Sequence, residues 1–163
     1  VETPENWTWA AEPVAARPCV LVDVDGVIAN GWHRQHFLQD GNRDWKNFFA
    51  NAFGDAPIDG SIALTQQFHS DTAVVLLTAR PHDLHTITVE WIREHGHRWD
   101  LLIMRDRNDG RLSSPRFKQR SVHELRERGF EPQLAIDDDQ RNIDMFRSEA
   151  IPSLYLHSGY YEA

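Results

Sequence analysis

The stretch VLVDVDGVIAN at residues 20–30 constrains the fold more than any other part of the chain. A β-branched apolar run, suited to a buried strand, ends in two carboxylates, Asp23 and Asp25. An ionised carboxylate buried without a partner is costly, so the fold must bring cations to the carboxyl end of this strand. Asp23 and Asp25 lie two apart and share a side while the chain stays extended, and Gly26 permits a sharp turn straight after them.

Four further runs have the same character. CVLVDV (19–24), AVVLLTAR (73–80), DLLIMR (100–105), QLAIDD (133–138) and SLYLHS (153–158) read as five short strands. Helical spacing separates them over Asp59–His69, Asp83–His95, Pro115–Arg128 and Gln140–Glu149. Asp83 and the Ser114-Pro115 pair are placed to start helices, and Gly96 and Gly129 to end them. Strands alternating with such helices imply an α/β class: a three-layer Rossmann-like fold around a central parallel sheet of about five strands. Residues 29–58 break the rhythm and read as a flap with one or two small helices, too short for a cap domain. Residues 1–17 read as an extended lead-in. The expectation is a single domain over 1–163, with no repeats or low-complexity tracts.

At 163 residues and 40% apolar content, one sizeable core is within reach. The lone Cys19 can neither staple the fold nor build a zinc cluster, which fits a reducing cytoplasm. No apolar stretch approaches the roughly 20 residues that span a bilayer, and VETPENWTWAAEP lacks the marks of a signal peptide, so no membrane partner is expected. Residue 1 is Val, which leaves open that the chain is a piece of a longer polypeptide. The formal net charge of −8 argues against wholesale binding to nucleic acid or anionic lipid. Locally the balance reverses: residues 105–120 hold six basic and two acidic residues, +4 against −12 for the rest. Such a run suits either a solvated face or an anion-binding edge, and beside a phosphate-handling site it reads better as the edge.

In open parallel sheets, ligands bind beyond the carboxyl ends of the strands. That edge should gather Asp23 and Asp25 from the first strand, Thr78, Ala79 and Arg80 from the second, Asp137 and Asp138 from the fourth, and Lys118 from the helix after the third. Carboxylates from both places make an oxygen-only site suited to Mg²⁺. A cation there would let a phosphate dianion approach Asp23, which could act as a nucleophile while Asp25 moves a proton. Thr78 offers a hydroxyl, Lys118 a point charge and Arg80 a planar fork.

Other readings of the same residues are weaker. A calcium loop opening Asp-x-Asp-Gly needs polar residues where Val27 and Ile28 stand and a glutamate at its twelfth position, where Arg34 stands. Thr78 and Lys118, taken singly, would be an ordinary strand-end hydroxyl and a surface lysine. Asp139 should cap the next helix. The pairs His33/His36 and His82/His85 lack the carboxylates of a zinc site and read as surface residues. Trp32, Trp45, Phe48, Phe49 and Phe53 should pack the flap, with stacking on a base as the alternative.

With DVDGV, LLTAR, FKQR and AIDDDQRNI in place, the chain resembles the haloacid dehalogenase (HAD) superfamily from Val20 onward. The resemblance implies a phosphatase with Asp23 as nucleophile, Asp25 as general acid and base, and Thr78 and Lys118 on the phosphate. It implies Mg²⁺ on Asp23, the Asp25 carbonyl and Asp138, with Asp137 in or beside the metal shell. VVLLTARP, TITVEWIREHG, LLIMRDRNDGR with FKQRSV, and LAIDDDQRNIDMFR also resemble the 3′-phosphatase domain of bacteriophage-type polynucleotide kinase-phosphatases. Thr78-Ala79-Arg80 stands where Ser-Gly-Arg is common there. This likeness implies a DNA or RNA 3′ end as substrate, contacts from Gly26, Ala79, Arg80 and Arg105, and a kinase or ligase as partner or fused domain.

Two other functions compete. A phosphatase of small nucleotides or other metabolites would have a pocket closed under the flap. A non-catalytic phosphate-binding module would have lost one of Asp23, Asp25, Thr78, Lys118 or Asp138, and all five are present.

Overall fold

Apolar residues occur at consecutive rather than alternate positions in the strand-forming runs, and the fold accounts for this by covering both faces of its main sheet. A computed structural model describes residues 2–39, 41 and 43–162. In chain order the elements are β1 (Trp7–Trp9), β2 (Pro18–Val22), β3 (Ala29–Asn30), α1 (Trp45–Ala50), β4 (Ala56–Pro57), α2 (Asp59–Gln67), β5 (Ala73–Pro81), α3 (His85–Glu94), β6 (Leu101–Arg105), α4 (Ser114–Glu127), β7 (Glu131–Asp137), α5 (Gln140–Ser148) and β8 (Ser153–Tyr155).

The main sheet runs β1-β6-β5-β2-β7-β8, with β2 at its centre. Its β2 pairs in parallel with both β5 (Val20 opposite Val74) and β7 (Val20 opposite Leu134), while β6 and β8 continue the parallel order outward. Successive β2 residues face opposite layers. Cys19 and Leu21 pack with Phe117, Leu125 and Phe146 from α4 and α5, and Val20 and Val22 with Trp91 and Ile92 from α3. Each such fully buried side chain contributes about 1.5–3 kcal/mol.

The five anticipated strands are all present. A sixth, β1, was not anticipated: Trp7–Trp9 pairs antiparallel with Leu101–Ile103 at the sheet edge. Three residues are too few to show a period, and it is the buried Trp7 and the Trp9–Phe130 contact at 6.2 Å that hold this piece of the lead-in. Asp83 also departs from its expected role. Here α3 starts at His85 after a 3₁₀ turn, and Asp83 pairs instead with Arg107. The glycine stops stand, with Gly96 and Gly129 at positive φ.

Within 29–58, β3 and β4 form a two-stranded antiparallel ribbon at the flap's base, with a 3₁₀ helix (Trp32–Leu38) and α1 between them. No large cap domain occurs among the described residues, and none of their helices is long and apolar enough to cross a membrane.

Candidate active site

The chain leaves β2 at Val22, but the Asp23 N–H still donates to the Ile136 carbonyl at 3.0 Å, so Asp23 is held in line with the strand. It then folds sharply, with the Gly26 N–H bonded to the Ala29 carbonyl at 2.9 Å. Gly26 has φ +80°, and a Cβ there would lie 2.1 Å from the Asp138 Oδ2. A side chain at this position would collide with the carboxylate arriving from the end of β7.

One half of the site is a chain of charges. Lys118, buried in the first turns of α4, lies 2.8 Å from the Asp23 Oδ1 and 2.6 Å from the Asp137 Oδ2. Burial opposes its charge, yet Asp137 and Asp23 hold it above the usual lysine range. Asp137 is fully partnered, since the Asp139 N–H and the Asn142 amide also donate to it. Asp138 contrasts with it. Both carboxylate oxygens are buried without a hydrogen-bond partner among the described residues. Burial pushes the Asp138 carboxyl up to about 7, an effect that nearby Ser158 only moderates. Burial likewise raises Asp23.

The other half ties the flap to the sheet. Arg34 of the flap donates to the Asp25 Oδ1 at 2.5 Å and to Asp55 at 2.7 and 2.6 Å. Arg80, at the end of β5, donates to Asp25 at 2.8–3.2 Å and to Asp55 at 2.9 Å. Burial works against the Asp25 charge, but Arg80 and Arg34 hold its carboxyl well below the usual carboxylate range.

Together the two halves place five carboxylates (Asp23, Asp25, Asp55, Asp137, Asp138) against three cations (Arg34, Arg80, Lys118). Oxygens of Asp23, Asp137 and Asp138 lie within 4.8 Å of one another. Were all five ionised, the carboxylates would exceed the cations by two, and that formal excess, with Asp138 unpartnered among the described residues, fits a divalent cation with oxygen ligands.

Over this centre lies a cleft of about 810 Å³, lined by residues from the flap, the ends of β5 and β6, α4 and the C-terminal segment. Thr78 and Ala79 reach it. The Thr78 hydroxyl accepts from the Arg80 N–H at 3.1 Å, which leaves its own proton free to donate. Arg105 lines the cleft too, but its guanidinium donates to the carbonyls of Ala79, Asp109 and Leu112. The basic run is partly neutralised: Arg107 pairs with Asp83 and Arg120 with Asp109, and of its six cations only Arg105 and Lys118 line the cleft. Asp139 caps α5 as anticipated, accepting from the Arg141 N–H at 2.9 Å.

The profile of one protein family, described as the polynucleotide kinase PNKP phosphatase domain, matches residues 17–161. The chain belongs to this family. It is therefore a phosphatase of the HAD superfamily and of polynucleotide kinase-phosphatase type. No curated protein sequence matches it. Among solved structures, Pnkp1 in the Pnkp1/Rnl/Hen1 RNA repair complex superposes with a TM-score of 0.67 at 22% identity, over 96% of this chain and 47% of that one. The class C acid phosphatase of Bacillus anthracis with tungstate bound gives 0.64 at 13% identity, over 91% and 69%. A HAD-superfamily hydrolase of Geobacter sulfurreducens gives 0.56 at 9%, over 86% and 87%. These likenesses establish the fold. The chain spans about half the length of the Pnkp1 chains it matches.

Sequence reasoning missed Arg34, Asp55, Tyr160 and Tyr161. Arg34 and Asp55 sit in a flap with no periodic register, and the one available signal was a cation embedded among aromatics. Tyr160 closes the flap from the C-terminal segment, where its hydroxyl accepts from the Gly31 N–H at 2.7 Å and its ring stacks on Trp32.

Proposed function

We propose that the chain is a Mg²⁺-dependent phosphomonoesterase that removes 3′-phosphate from nucleic acid ends through an aspartyl-phosphate. The observation that carries this reading is the cleft of about 810 Å³ that reaches Asp23 and Asp25 and is bounded by a small flap rather than a large cap. The family's description as a polynucleotide kinase phosphatase domain supports the same substrate class.

In this reading Asp23 attacks phosphorus, and the bond to the 3′ oxygen breaks as Asp25 donates its proton to that oxygen. Asp25 must be protonated to do so, and the approach of a phosphate dianion supplies the field that opposes the two guanidinium groups. Water then attacks the aspartyl-phosphate, giving a proton to Asp25 and releasing inorganic phosphate. Thr78 and Lys118 hold the phosphoryl oxygens, Gly26 and Ala79 provide close backbone approach, and Arg80 and Arg34 position Asp25. Arg105 shapes the cleft wall through its carbonyl contacts. Asp23, the Asp25 carbonyl and Asp138 would hold Mg²⁺, with Asp137 beside them, and the ion would neutralise charge where two anions meet. A kinase or ligase, on the same polypeptide or another, would act on the healed end. A chain with the single cysteine Cys19 fits a reducing, cytoplasmic setting.

The direct test is Mg²⁺-dependent phosphate release from an oligonucleotide ending in a 3′-phosphate, beside a nucleoside 3′-monophosphate and a 5′-monophosphate. Preference for the oligonucleotide is expected. Preference for a monomer would keep the chemistry and move the function to metabolite phosphatases.

The metal assignment has its own test. Raising the Asp138 pKa to about 7 means the folded state holds that proton more tightly than the unfolded state, so stability falls as pH rises from about 4 through 7. At pH 8 in EDTA, Asp138→Asn is expected to melt roughly 3 °C or more above the parent. The parent should gain stability with added Mg²⁺ and the variant should not. An equal Mg²⁺ response in both would remove Asp138 from the metal site.

A further inference from the structure

The flap carries an aromatic surface that the phosphoryl chemistry does not use. Asp44 caps α1 through a hydrogen bond from the Asn47 N–H at 3.0 Å, and the short helix sets Trp45 and Phe49 one turn apart on one face. Their rings stack with centroids 5.7 Å apart and planes 24° from parallel. Both line the cleft that holds Asp23 and Asp25, yet Trp45 stays 45% exposed. An indole left half in water beside a catalytic cleft is not there to fill the core.

Phe48 fixes the position of this surface. It is buried, meets both rings edge-on (5.7 Å to Trp45, 5.3 Å to Phe49), and lies under the Arg34 guanidinium at 4.1 Å. Arg34 is the same side chain that grips Asp25 and Asp55. The aromatic shelf is thereby anchored, through one cation–π contact and one ion pair, to Asp25, the carboxylate that moves the proton. Arg43 and Arg105 line the same cleft and bring positive charge that suits a phosphodiester backbone, whereas Arg141, also in its lining, is paired with Asp139 at 2.7 Å.

We propose that Trp45, backed by Phe49, is a nucleobase-stacking platform that holds the end of a single strand in the cleft while its terminal phosphate occupies the Asp23 site. This rests on the nucleic acid reading above and narrows it to single-stranded ends, because within a duplex the faces of successive bases are taken by their stacked neighbours. Every base has a π-face, so the platform reads the presence of a base with little regard to its identity.

Binding of a labelled single-stranded oligonucleotide with a 3′-phosphate, measured by anisotropy in an Asp23→Asn background that does not consume it, provides the test. The comparison ligand is the same strand with its last three residues abasic. The base-bearing strand is expected to bind roughly 10–100-fold more tightly. Adding Trp45→Ala should erase that ratio, with the abasic strand binding both proteins alike, and Trp45→Phe should keep part of it. Equal binding of the two strands by the parent, or a Trp45→Ala loss that is the same for both strands, would overturn the proposal. These outcomes are independent of turnover. A base-dependent affinity without release of 3′-phosphate would remove the assigned end chemistry and leave the platform standing.

Discussion

Asp23→Asn is expected to reduce phosphate release at least about 10⁴-fold, to the level of the assay blank, while the protein remains folded. The amide has the shape of the carboxylate but no nucleophilic oxygen, so no route to an aspartyl-phosphate is left. Its effect on stability should be small. The substitution removes a charge whose burial is unfavourable, which offsets the loss of the 2.8 Å contact with Lys118. Steady-state turnover, a melting curve and trapping of phosphorylated protein by acid quench check this together. Normal turnover by the variant would sink the assignment of Asp23 as nucleophile, and lost turnover with a collapsed fold would show a structural role instead.

Lys118→Met is expected to be the most destabilising change at the site, by about 3–5 kcal/mol. Methionine fills the volume of the buried stem but leaves Asp23 and Asp137 facing each other without the cation between them. For a chain of this size that corresponds to a fall in melting temperature of about 10 °C. The deficit should depend on pH with a definite sign. Burial already makes Asp23 bind its proton more tightly in the folded state than in the unfolded one, and loss of Lys118 strengthens that, so the variant's deficit grows as pH rises above about 4 and is larger at pH 8 than at pH 5. Adding Asp137→Asn to Lys118→Met should recover part of the loss, since it removes one of the two stranded charges. Denaturant melts of the parent, the single variant and the double variant at both pH values measure all of this. A deficit independent of pH would show that Lys118 acts through packing alone.

Both variants probe the part of the site that was readable in the sequence. Asp23, Asp25, Thr78, Lys118 and the Asp137-Asp138 pair could be placed together from sequence because each lies at or just past the end of an apolar run or near the start of a helix. The alternation of strands and helices orders those ends along one edge. Arg34 and Asp55 could not be placed. They stand 21 residues apart in a segment with neither a period of two nor one of 3.6, and only the closure of the β3–β4 ribbon brings them to Asp25. Arg80 shows the complementary limit. Its position at the end of β5 was legible, but its partners were not, and its guanidinium lies against Asp25 and Asp55 rather than directed freely into the cleft.

The basic run at 105–120 was legible as a charge count and not as a surface. Whether a cation is free depends on which acidic side chains lie across from it in space, and Asp83, distant in sequence, claims Arg107. That Trp7–Trp9 forms a strand was not legible for a related reason, because an edge strand of three residues is stabilised by its neighbours rather than by its own pattern. Local pattern thus determined the strands, the helices and the carboxylates that end β2 and follow β7, since periodicity and turn chemistry act over a few residues. Tertiary structure decided which charges are paired, that Asp138 has no hydrogen-bond partner among the described residues, and that Trp45 and Phe49 turn toward the cleft. Those outcomes depend on contacts between segments tens of residues apart, whose energies no local pattern records.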